Sequence, residues 1–389
     1  MKLLLYSREF SPSVGGVQTI VAELARGLAR SAEPRGDDAV DITLVTETPS
    51  SGPKDQQFPF PVIRQPGFWK IATLILRTDI IHLAGPAIVP LALSWLLKKP
   101  VVVEHHGFQA TCPNGQMLYE PCENTCPGHF MAGNYGECLR CNRKKLGLAG
   151  SALLLLLTPV RRWMCSRVRA NIMPTHWLAS QLGLKRGKVV LHGIESGASP
   201  SEENGTVASR SIFAYQGRLV STKGVRVLLK AFEQLCDEGR SPRLIIIGTG
   251  PEEESLKCRT AKYGEKVQFG GAVPSGSLDQ MLAAAATVVI PSLAGEVFGL
   301  VAAENMLRGK LLIVSDLGSL REVVGDTGLV FATGDTVALA DCMRSAMDDA
   351  SRAGNLGRAA RARAERAFGA ERMVEEHLAV YREALATKE

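Results

Sequence analysis

The sequence lacks several patterns that would assign it to other classes of protein. It has no apolar run of the roughly 20 residues that a membrane-spanning helix needs, because its Leu-rich stretch at 152–160 is short and contains Pro159. That stretch is also far from the N-terminus, so no secretory signal is expected and the cytoplasm is the expected compartment. No Asp-x-Asp motif and no short-period internal repeat occur. The glycine turn at 12–16 is not a Gly-x-Gly-x-x-Gly fingerprint, which disfavours a nicotinamide cofactor.

What the sequence does contain is typical of a soluble protein with two domains. Its 389 residues exceed the usual size of one domain, and 46% hydrophobic with 22% charged residues is an ordinary globular composition. Residues 196–210 are rich in Ser, Gly, Pro and Glu and have few apolar side chains, as linkers do. We therefore predict a first domain over 1–195, a linker over 196–210 and a second domain over 211–370.

Positive charge is unevenly distributed along the chain. Lys and Arg outnumber Asp and Glu by only 45 to 39, yet eleven Lys or Arg and no acidic residue lie between Cys138 and Ile194. This block surrounds the Leu-rich stretch and Trp163. Basic, Leu-rich segments dock on anionic membrane surfaces, but a core helix with solvated Arg side chains has the same pattern, and the sequence leaves both open.

Short runs rich in Val, Ile and Leu recur along both predicted domains and alternate with helical patterns. This alternation predicts βαβ units, and therefore a parallel sheet in each domain, with both faces covered by helices. The expected strands are 2–6, 41–46, 79–83, 101–104, 170–175, 211–215, 244–248, 267–273, 285–290, 311–315 and 328–331.

The strongest functional signal follows the expected strand at 285–290. A loop with two glycines leads into a helix that is predicted to begin at Leu300. The free amides of a helix N-terminus favour an anion, and open α/β sheets bind ligands at the carboxyl ends of their strands. Glu296 in the loop and Glu304 in the helix, eight positions apart, would bracket such a ligand. Alternatively they are a solvated loop residue and a helix-dipole carboxylate.

Other polar residues follow other expected strands. Arg218 and Lys223 flank one glycine-bounded turn, where two cations could neutralise a diphosphate without a metal ion. His106, followed by glycine, ends the strand at 101–104 and would touch a ligand there, unless it is an ordinary loop histidine. Gly15 and Gly16 allow close approach of a phosphate or sugar to the start of the first helix, although such a pair is usually only a turn.

Five of the nine cysteines fall within a segment at 108–145 that is rich in Gly, Asn and Pro. The spacings Cys-x3-Cys and Cys-x2-Cys are those of zinc knuckles, and a structural zinc competes with unligated or redox-active thiols as the interpretation. A disulfide framework is the weaker interpretation for a cytoplasmic protein. The candidate ligands are Cys112, Cys122, Cys126, Cys138 and Cys141.

Taken together, these motifs resemble those of the retaining glycosyltransferases of family 4, which have the GT-B fold. The Glu-x7-Glu spacing with a Phe-Gly-Leu core and the string Gly-Arg-Leu-x-x-x-Lys-Gly carry the resemblance, which extends over nearly the whole chain. It implies two Rossmann-like doubly wound domains with an interdomain cleft, the first on the acceptor side and the second binding a nucleotide-sugar. It also implies that a final helix, 371–389, crosses back to the first domain.

The resemblance implies a role for each matching residue. Glu296 and His106 would act on the donor sugar as the catalytic pair, and Glu304 would bind the ribose. The remaining donor-binding residues would be Gly15, Gly16, Arg218, Lys223, Gly248, Gly250, Val273, Phe298, Gly299 and Leu300. No cofactor and no catalytic metal are expected, since no Asp-x-Asp motif is present to hold an ion on the diphosphate.

The implied activity is transfer of a sugar from a UDP- or GDP-sugar to a hydroxyl acceptor. The basic block favours a lipid-linked acceptor or an intermediate of cell-surface polysaccharide or glycolipid assembly, with peripheral contact to the inner face of the membrane. No nucleic acid partner is expected. Two alternatives stay open: a nucleotide-sugar epimerase or phosphorylase of the same fold, and a non-catalytic scaffold with a zinc-binding docking insertion.

Overall fold

The structure, a computed structural model, describes residues 1–13, 15–30, 40–50, 58–195 and 209–387. Most of the predicted linker, residues 196–208, lies outside the described residues. The chain divides into two compact units. The first unit consists of the described residues of Met1–Met117, Pro127–Glu195 and Phe368–Glu389. The second unit consists of those of Leu118–Cys126 and Ser196–Ala367.

The strands in the described residues are short, as buried parallel strands are. They are β1 (Lys2–Ser7), β2 (Asp41–Thr46), β3 (Val62–Arg64), β4 (Ile80–Ala84), β5 (Val101–Glu104), β6 (Leu118–Tyr119), β7 (Asn124–Thr125), β8 (Ala170–Met173), β9 (Gly187–Val189), β10 (Ser209–Gln216), β11 (Arg243–Ile247), β12 (Val267–Gly271), β13 (Ala285–Ile290), β14 (Leu311–Ser315) and β15 (Leu329–Phe331).

Helices connect most of these strands. They are α1 (Gly16–Arg30), α2 (Phe68–Leu76), α3 (Ile88–Leu96), α4 (Tyr135–Cys165), α5 (His176–Leu182), α6 (Val225–Asp237), α7 (Glu253–Thr260), α8 (Ser275–Leu282), α9 (Leu300–Leu307), α10 (Gly318–Val324), α11 (Thr336–Asp348), α12 (Ala350–Ala367) and α13 (Ala370–Ala386).

The sheet of the first unit is parallel and has the order β3-β2-β1-β4-β5-β8-β9. Its central strands are continuous apolar runs because helices cover both faces, and Leu3 to Leu5 of β1 are accordingly buried. The strand order reverses at β1, so the carboxyl ends of β1 and β4 mark a topological switch point. Helix α13 packs on α1 and β5 within this unit.

The sheet of the second unit is also parallel, with the order β12-β11-β10-β13-β14-β15. Helices α6 and α11 pack together on one face, and their apolar side chains, such as Phe232 and Leu339, close one continuous core with β10, β11 and β14. Here the switch point lies between β10 and β13. Each unit is therefore a doubly wound α/β sheet, which confirms the predicted fold class.

Several elements differ from the sequence-based expectation. Strands β3 and β9 were not expected, and each is a three-residue edge strand with too few residues to show a pattern. The predicted insertion at 108–145 is divided, because Leu118–Cys126 forms the antiparallel β6–β7 pair and belongs to the second unit.

Helix α4 is longer and more exposed than the Leu-rich stretch alone indicated. It contains Pro159 and a non-helical residue, Gly147, with φ 67°, so that two helical segments meet there. Among the described residues, it is the one helix long and apolar enough to cross a bilayer, with a best 18-residue window of mean hydropathy 1.2 that is 17% buried. From the sequence, no segment was expected to be long and apolar enough to cross a bilayer. Helix α4 differs from this expectation by its length and composition alone. A single helix of this kind is weak evidence for a membrane span.

Candidate active site

Three glycine turns at the carboxyl ends of β10, β11 and β13 are joined to one another in the second unit. The Leu219 amide donates to Thr249 O at 2.9 Å and so connects the turns after β10 and β11. The Leu293 amide donates to Thr222 O at 2.7 Å and so connects the turns after β13 and β10. The loops that sequence analysis assigned separately to the donor therefore form one hydrogen-bonded assembly at the switch point of this sheet.

Two glycines make this assembly possible. Gly224 has φ 65°, and a Cβ at this position would lie 1.9 Å from Pro291 O. Gly248 has φ 131°, and a Cβ there would lie 1.9 Å from Gly217 O. Because real Cβ atoms do not approach a carbonyl oxygen so closely, any other residue would force the turns apart.

Lys223 and Glu296 contact each other directly. Lys223 Nζ donates to Glu296 Oε1, and Ser292 Oγ donates to the same oxygen at 2.8 Å. Burial by itself raises the pKa of Glu296, but the charge of Lys223 and these two hydrogen bonds bring it below its ordinary value of 4.5. The carboxylate is thus ionised at neutral pH. The motifs in the sequence relate Lys223 to the diphosphate and Glu296 to the sugar, and they do not predict this contact.

Glu304 is held by a residue that sequence analysis did not select. Gln216 Nε2 donates to Glu304 Oε2 at 3.0 Å, while Asn305 Nδ2 donates to Gln216 Oε1 at 2.9 Å. Burial raises the pKa of Glu304, opposed by the charge of Arg308 and the bond from Gln216. The only available signal for Gln216 was its position as the last residue of β10, directly before the predicted phosphate turn.

The start of α9 completes the second unit's site. Helix α9 begins at Leu300, as predicted, and Gly299 before it has φ 97°. Phe298 is buried, so that it anchors the loop. The first N–H groups of a helix have no acceptor four residues earlier within the helix. In α9 the amides of Ala302 and Ala303 donate to Gly299 O at 2.9 and 3.2 Å, and this first turn lies at the carboxyl end of β13.

Arg218, in the turn after β10, is exposed, and its carbonyl accepts a hydrogen bond from Tyr215 Oη at 2.8 Å.

The other predicted donor residues lie on turns at strand ends. Gly250 follows β11, and a Cβ there would lie 2.3 Å from Leu219 O. Val273 follows β12 and is half-buried. In the first unit, Gly15 and Gly16 stand at the start of α1, where the Thr19 amide donates to Gly15 O at 3.0 Å.

In the first unit, His106 belongs to a cluster of four histidines around Glu104. The Glu104 carboxylate, at the end of β5, is completely buried. The closest histidine atom in each contact is Nε2, and its distances to a Glu104 oxygen are 3.1 Å for His82, 3.5 Å for His106, 3.3 Å for His192 and 3.6 Å for His377. Of this cluster, only His106 was predicted as a site residue from the sequence.

Burial and mutual contact shift the pKa values in this cluster. Burial alone would raise the pKa of Glu104, but the adjacent histidines, His106 first, hold it well below its ordinary range. Burial lowers the pKa of His82, and it lowers that of His192 to about 4. The carboxylate is therefore an anion surrounded by imidazoles in a site closed to solvent.

The predicted cysteine ligands are divided between the two units. Cys112, Cys138 and Cys141 are buried in the first unit, whereas Cys122 and Cys126 lie in the second. Across the residues that the structure describes, two groups of three or more His, Cys, Asp or Glu have ligand atoms within 4.8 Å of one another. Both contain Glu104, and neither contains a cysteine. Zinc binding by the insertion stays a prediction.

Comparison with known proteins supports the same division of the chain. A sequence model of glycosyltransferase family 4 matches residues 14–195, and a model of glycosyl transferases group 1 matches residues 200–363. Together the two models account for most of the chain and meet close to the boundary between the two units.

Individual relatives match parts of the sequence, and solved structures match the whole fold. A glycogen synthase of Mycobacterium tuberculosis is 32% identical over 46% of this chain and 44% of its own length. A phosphatidyl-myo-inositol mannosyltransferase of Mycobacterium leprae is 32% identical over 31% of this chain and 33% of its own. These matches thus span less than half of each relative. HepE of Anabaena, solved with UDP and glucose, has 19% identity and a TM-score of 0.69, covering 98% of this chain and 99% of its own.

Proposed function

Because this chain belongs to the family 4 glycosyltransferases and has the GT-B fold, we propose that it transfers a sugar from a UDP- or GDP-sugar to an acceptor hydroxyl. We propose further that the configuration at the anomeric carbon is retained and that no metal ion assists at the diphosphate. The observation that carries this proposal is the hydrogen-bonded assembly of three turns, which brings cations, carboxylates and helix amides to one edge of the second unit's sheet.

The charges of this assembly suit a nucleoside diphosphate. Lys223 and Arg218 belong to one turn, and their positive charges can neutralise the two phosphates. The N–H groups at the start of α9 add further donors for anionic oxygens. Glu304, aligned by Gln216, is an acceptor for hydroxyl groups such as those of a ribose, and Glu296 is an acceptor for sugar hydroxyls.

These groups would act on the bond between the sugar and the diphosphate. In the proposed reaction, the bond from the anomeric carbon to the phosphate oxygen breaks, and a bond to the acceptor oxygen forms on the same face. The acceptor proton passes to the departing phosphate, so the reaction needs no oxidant or reductant. Each cation or amide donor that stabilises the leaving group contributes about 2.7–4 kcal/mol, judged from single oxyanion donors in other enzymes.

Thermal stabilisation by nucleotides tests the donor site. UDP, GDP and ADP and their sugar conjugates are compared by the ligand-induced shift in Tm, with and without EDTA. A ligand that binds only the folded chain adds about 2.7 kcal/mol at one hundred times its Kd. Lys223→Ala should abolish the shift, whereas Lys230→Ala, an exposed lysine on α6, should leave it unchanged.

The pattern of shifts decides between the alternatives. A shift from one nucleotide that is independent of EDTA supports a metal-free donor site. If no nucleotide stabilises the wild type, the donor site is wrong, and a non-catalytic scaffold becomes the better interpretation. If Glu296→Ala stops sugar transfer but still binds the nucleotide, Glu296 is needed for catalysis and not only for binding. Product stereochemistry, read by NMR, tests retention.

We also propose that the acceptor is lipid-linked and that the first unit docks on an anionic membrane. Support comes from an apolar surface on α2, α3 and α4, three helices that pack side by side. Trp69 is 80% exposed, Trp95 65% and Leu156 68%. Indole rings and leucines presented in this way are typical of protein faces that enter the headgroup region.

Basic residues border this surface. Trp95 and Trp163 meet edge to face with ring centroids 6.0 Å apart, and the Arg167 guanidinium lies 4.0 Å from the Trp163 ring centroid. Both indoles line a cavity of about 330 Å³ that is also lined by Lys98, Lys99, Arg167, Arg169 and Arg186. A cavity lined by aromatic and cationic side chains suits a phosphate-bearing lipid headgroup.

Co-sedimentation with vesicles tests this docking surface. Binding to phosphatidylserine-containing vesicles should be strong at low salt and weaker at high salt, and binding to phosphatidylcholine alone should be weak. Arg167→Gln with Arg169→Gln removes two charges and should weaken binding about thirtyfold, at about 1 kcal/mol per charge. Lys230→Gln with Arg358→Gln, an equal loss of charge in the second unit, is the control. Equal weakening by both double variants would contradict a local docking surface.

A further inference from the structure

Three completely buried side chains of the first unit face one another although they are far apart in sequence. His82 lies on β4, Glu104 ends β5, and His377 lies on α13. Glu104 Oε2 is 3.1 Å from His82 Nε2 and 3.6 Å from His377 Nε2. All three ligand atoms lie within 4.8 Å of one another.

The far nitrogen of each histidine ring is held by a hydrogen bond. His377 Nδ1 lies 2.8 Å from Met373 O, which can only accept, so Nδ1 carries a proton. His82 Nδ1 lies 2.7 Å from Tyr381 Oη, and a hydroxyl can either accept from this nitrogen or donate to it. With the proton on Nδ1, as in His377, a neutral ring presents the lone pair of Nε2. Metal-binding histidines are typically oriented by such a bond at the other ring nitrogen.

The Nε2 atoms that face Glu104, and the Glu104 carboxylate itself, then lack hydrogen-bond donors. Neither Glu104 oxygen, nor Nε2 of His82 or His377, makes a well-directed hydrogen bond to any residue that the structure describes. Lone pairs of a carboxylate and a neutral imidazole repel when they face each other. A buried carboxylate without a compensating partner is also strongly destabilising. A cation among these atoms would resolve both problems.

We propose that His82, Glu104 and His377 bind one divalent transition-metal ion, with zinc the best match, and that this ion fastens α13 to the sheet of the first unit. Zinc binds imidazole nitrogen and carboxylate oxygen at about 2.0–2.2 Å. Tetrahedral geometry at that bond length separates the ligand atoms by about 3.3–3.5 Å, close to the separations observed here.

The role of this ion is structural and distinct from the donor site. The ligands come from three elements, so the ion would join β4, β5 and the C-terminal helix of the first unit. The competing arrangement has a proton in place of the metal, with a charged His377 facing Glu104. The two differ in metal content, which can be measured without any assay of sugar transfer.

The experiment measures zinc bound per chain in the full-length protein, after equilibrium dialysis against zinc, by elemental analysis. His82→Gln with His377→Gln removes two ligands and should lose one zinc per chain. His105→Gln is the matched control, since His105 is equally buried next to Glu104 but bonds to Asn171 at 2.9 Å and belongs to neither group. Cys138→Ser with Cys141→Ser should retain this zinc, which separates it from zinc held by the insertion.

A second measurement does not depend on the folding of the double histidine variant. Cobalt substituted for zinc should give the absorption spectrum of a four-coordinate nitrogen and oxygen site in the Cys138→Ser, Cys141→Ser background, without a thiolate charge-transfer band. Chelation should lower the Tm of the wild type and of His105→Gln, but not that of the double histidine variant. The proposal is wrong if the zinc-dialysed wild type and the double histidine variant hold the same amount of metal, or if the cobalt spectrum shows only thiolate ligands.

Discussion

Lys223 donates a hydrogen bond to Glu296 and thereby joins the turn after β10 to the loop after β13. The two side chains are 22% and 13% exposed, so the pair is largely shielded from solvent. A diphosphate at these turns would compete with Glu296 for the same ammonium group. The proposed donor binding would therefore be coupled to the state of this ion pair, and the first predictions concern this relationship.

The pair should stabilise the fold in a pH-dependent way. The pKa of Glu296 is depressed below its ordinary 4.5, so its contribution is fully present above that value and is lost as the pH falls through the folded-state pKa. The free energy of unfolding should therefore fall more steeply below about pH 4.5 in the wild type than in Glu296→Gln. Denaturant titrations of both proteins measure this difference. Parallel curves in acid would contradict an ionised, paired Glu296.

Neutralising Lys223 should damage catalysis much more than stability. Lys223→Gln removes a cation from the leaving group, and we expect kcat to fall by about 100-fold or more. Lys230→Gln changes the same charge on an exposed face of α6 and should leave kcat within twofold of the wild type, about 0.4 kcal/mol. Steady-state kinetics with the donor identified by thermal shift provide the test. A loss shared by both variants would indicate a general charge effect.

Glu304 should discriminate ribose from deoxyribose. If its carboxylate accepts a ribose hydroxyl, Glu304→Gln and removal of the 2′- or 3′-hydroxyl should each weaken nucleotide binding about tenfold or more, the range for a charged hydrogen bond. The two changes together should weaken nucleotide binding little more than either change alone. A double-mutant cycle by calorimetry measures this coupling. Strictly additive losses would place the ribose elsewhere.

The glycine contacts between turns should be required for stability. Gly224→Ala would place a Cβ 1.9 Å from Pro291 O and leave a positive φ on alanine, and we expect it to lose about 3 kcal/mol or more. Gly276→Ala in α8 meets nothing within 4 Å and should be neutral or stabilising by up to about 1 kcal/mol. Chemical denaturation compares the two variants. A tolerated alanine at 224 would mean that the turns can move apart.

Strands buried on both faces were predictable because they are continuous apolar runs. The bounds expected for 41–46, 101–104, 285–290 and 311–315 agree with β2, β5, β13 and β14. Edge strands β3 and β9 have three residues each, and their mixed composition contains no such signal. The start of α9 was also predictable, since the glycine-rich loop and the residues after it have opposite backbone preferences.

Local spacing identified Lys223, Arg218, Glu296 and Glu304 as polar residues at strand ends, and the resemblance to family 4 assigned their roles. The motif order along the chain was enough for this, because parallel strands bring their carboxyl ends to one edge. It was not enough to show that Lys223 contacts Glu296 or that Gln216 aligns Glu304. Those contacts depend on the register between β10 and β13, which no local pattern encodes.

The sequence by itself determined the fold class, because this follows from hydrophobic patterning, and it predicted two domains and the donor loops from composition and from glycines at strand ends. Only the tertiary structure decided which side chains meet. His82, Glu104 and His377 come from two strands and the last helix, and packing of α13 on β5 brings them together. Contacts of this kind are set by how whole elements pack, so residue spacing along the chain does not reveal them.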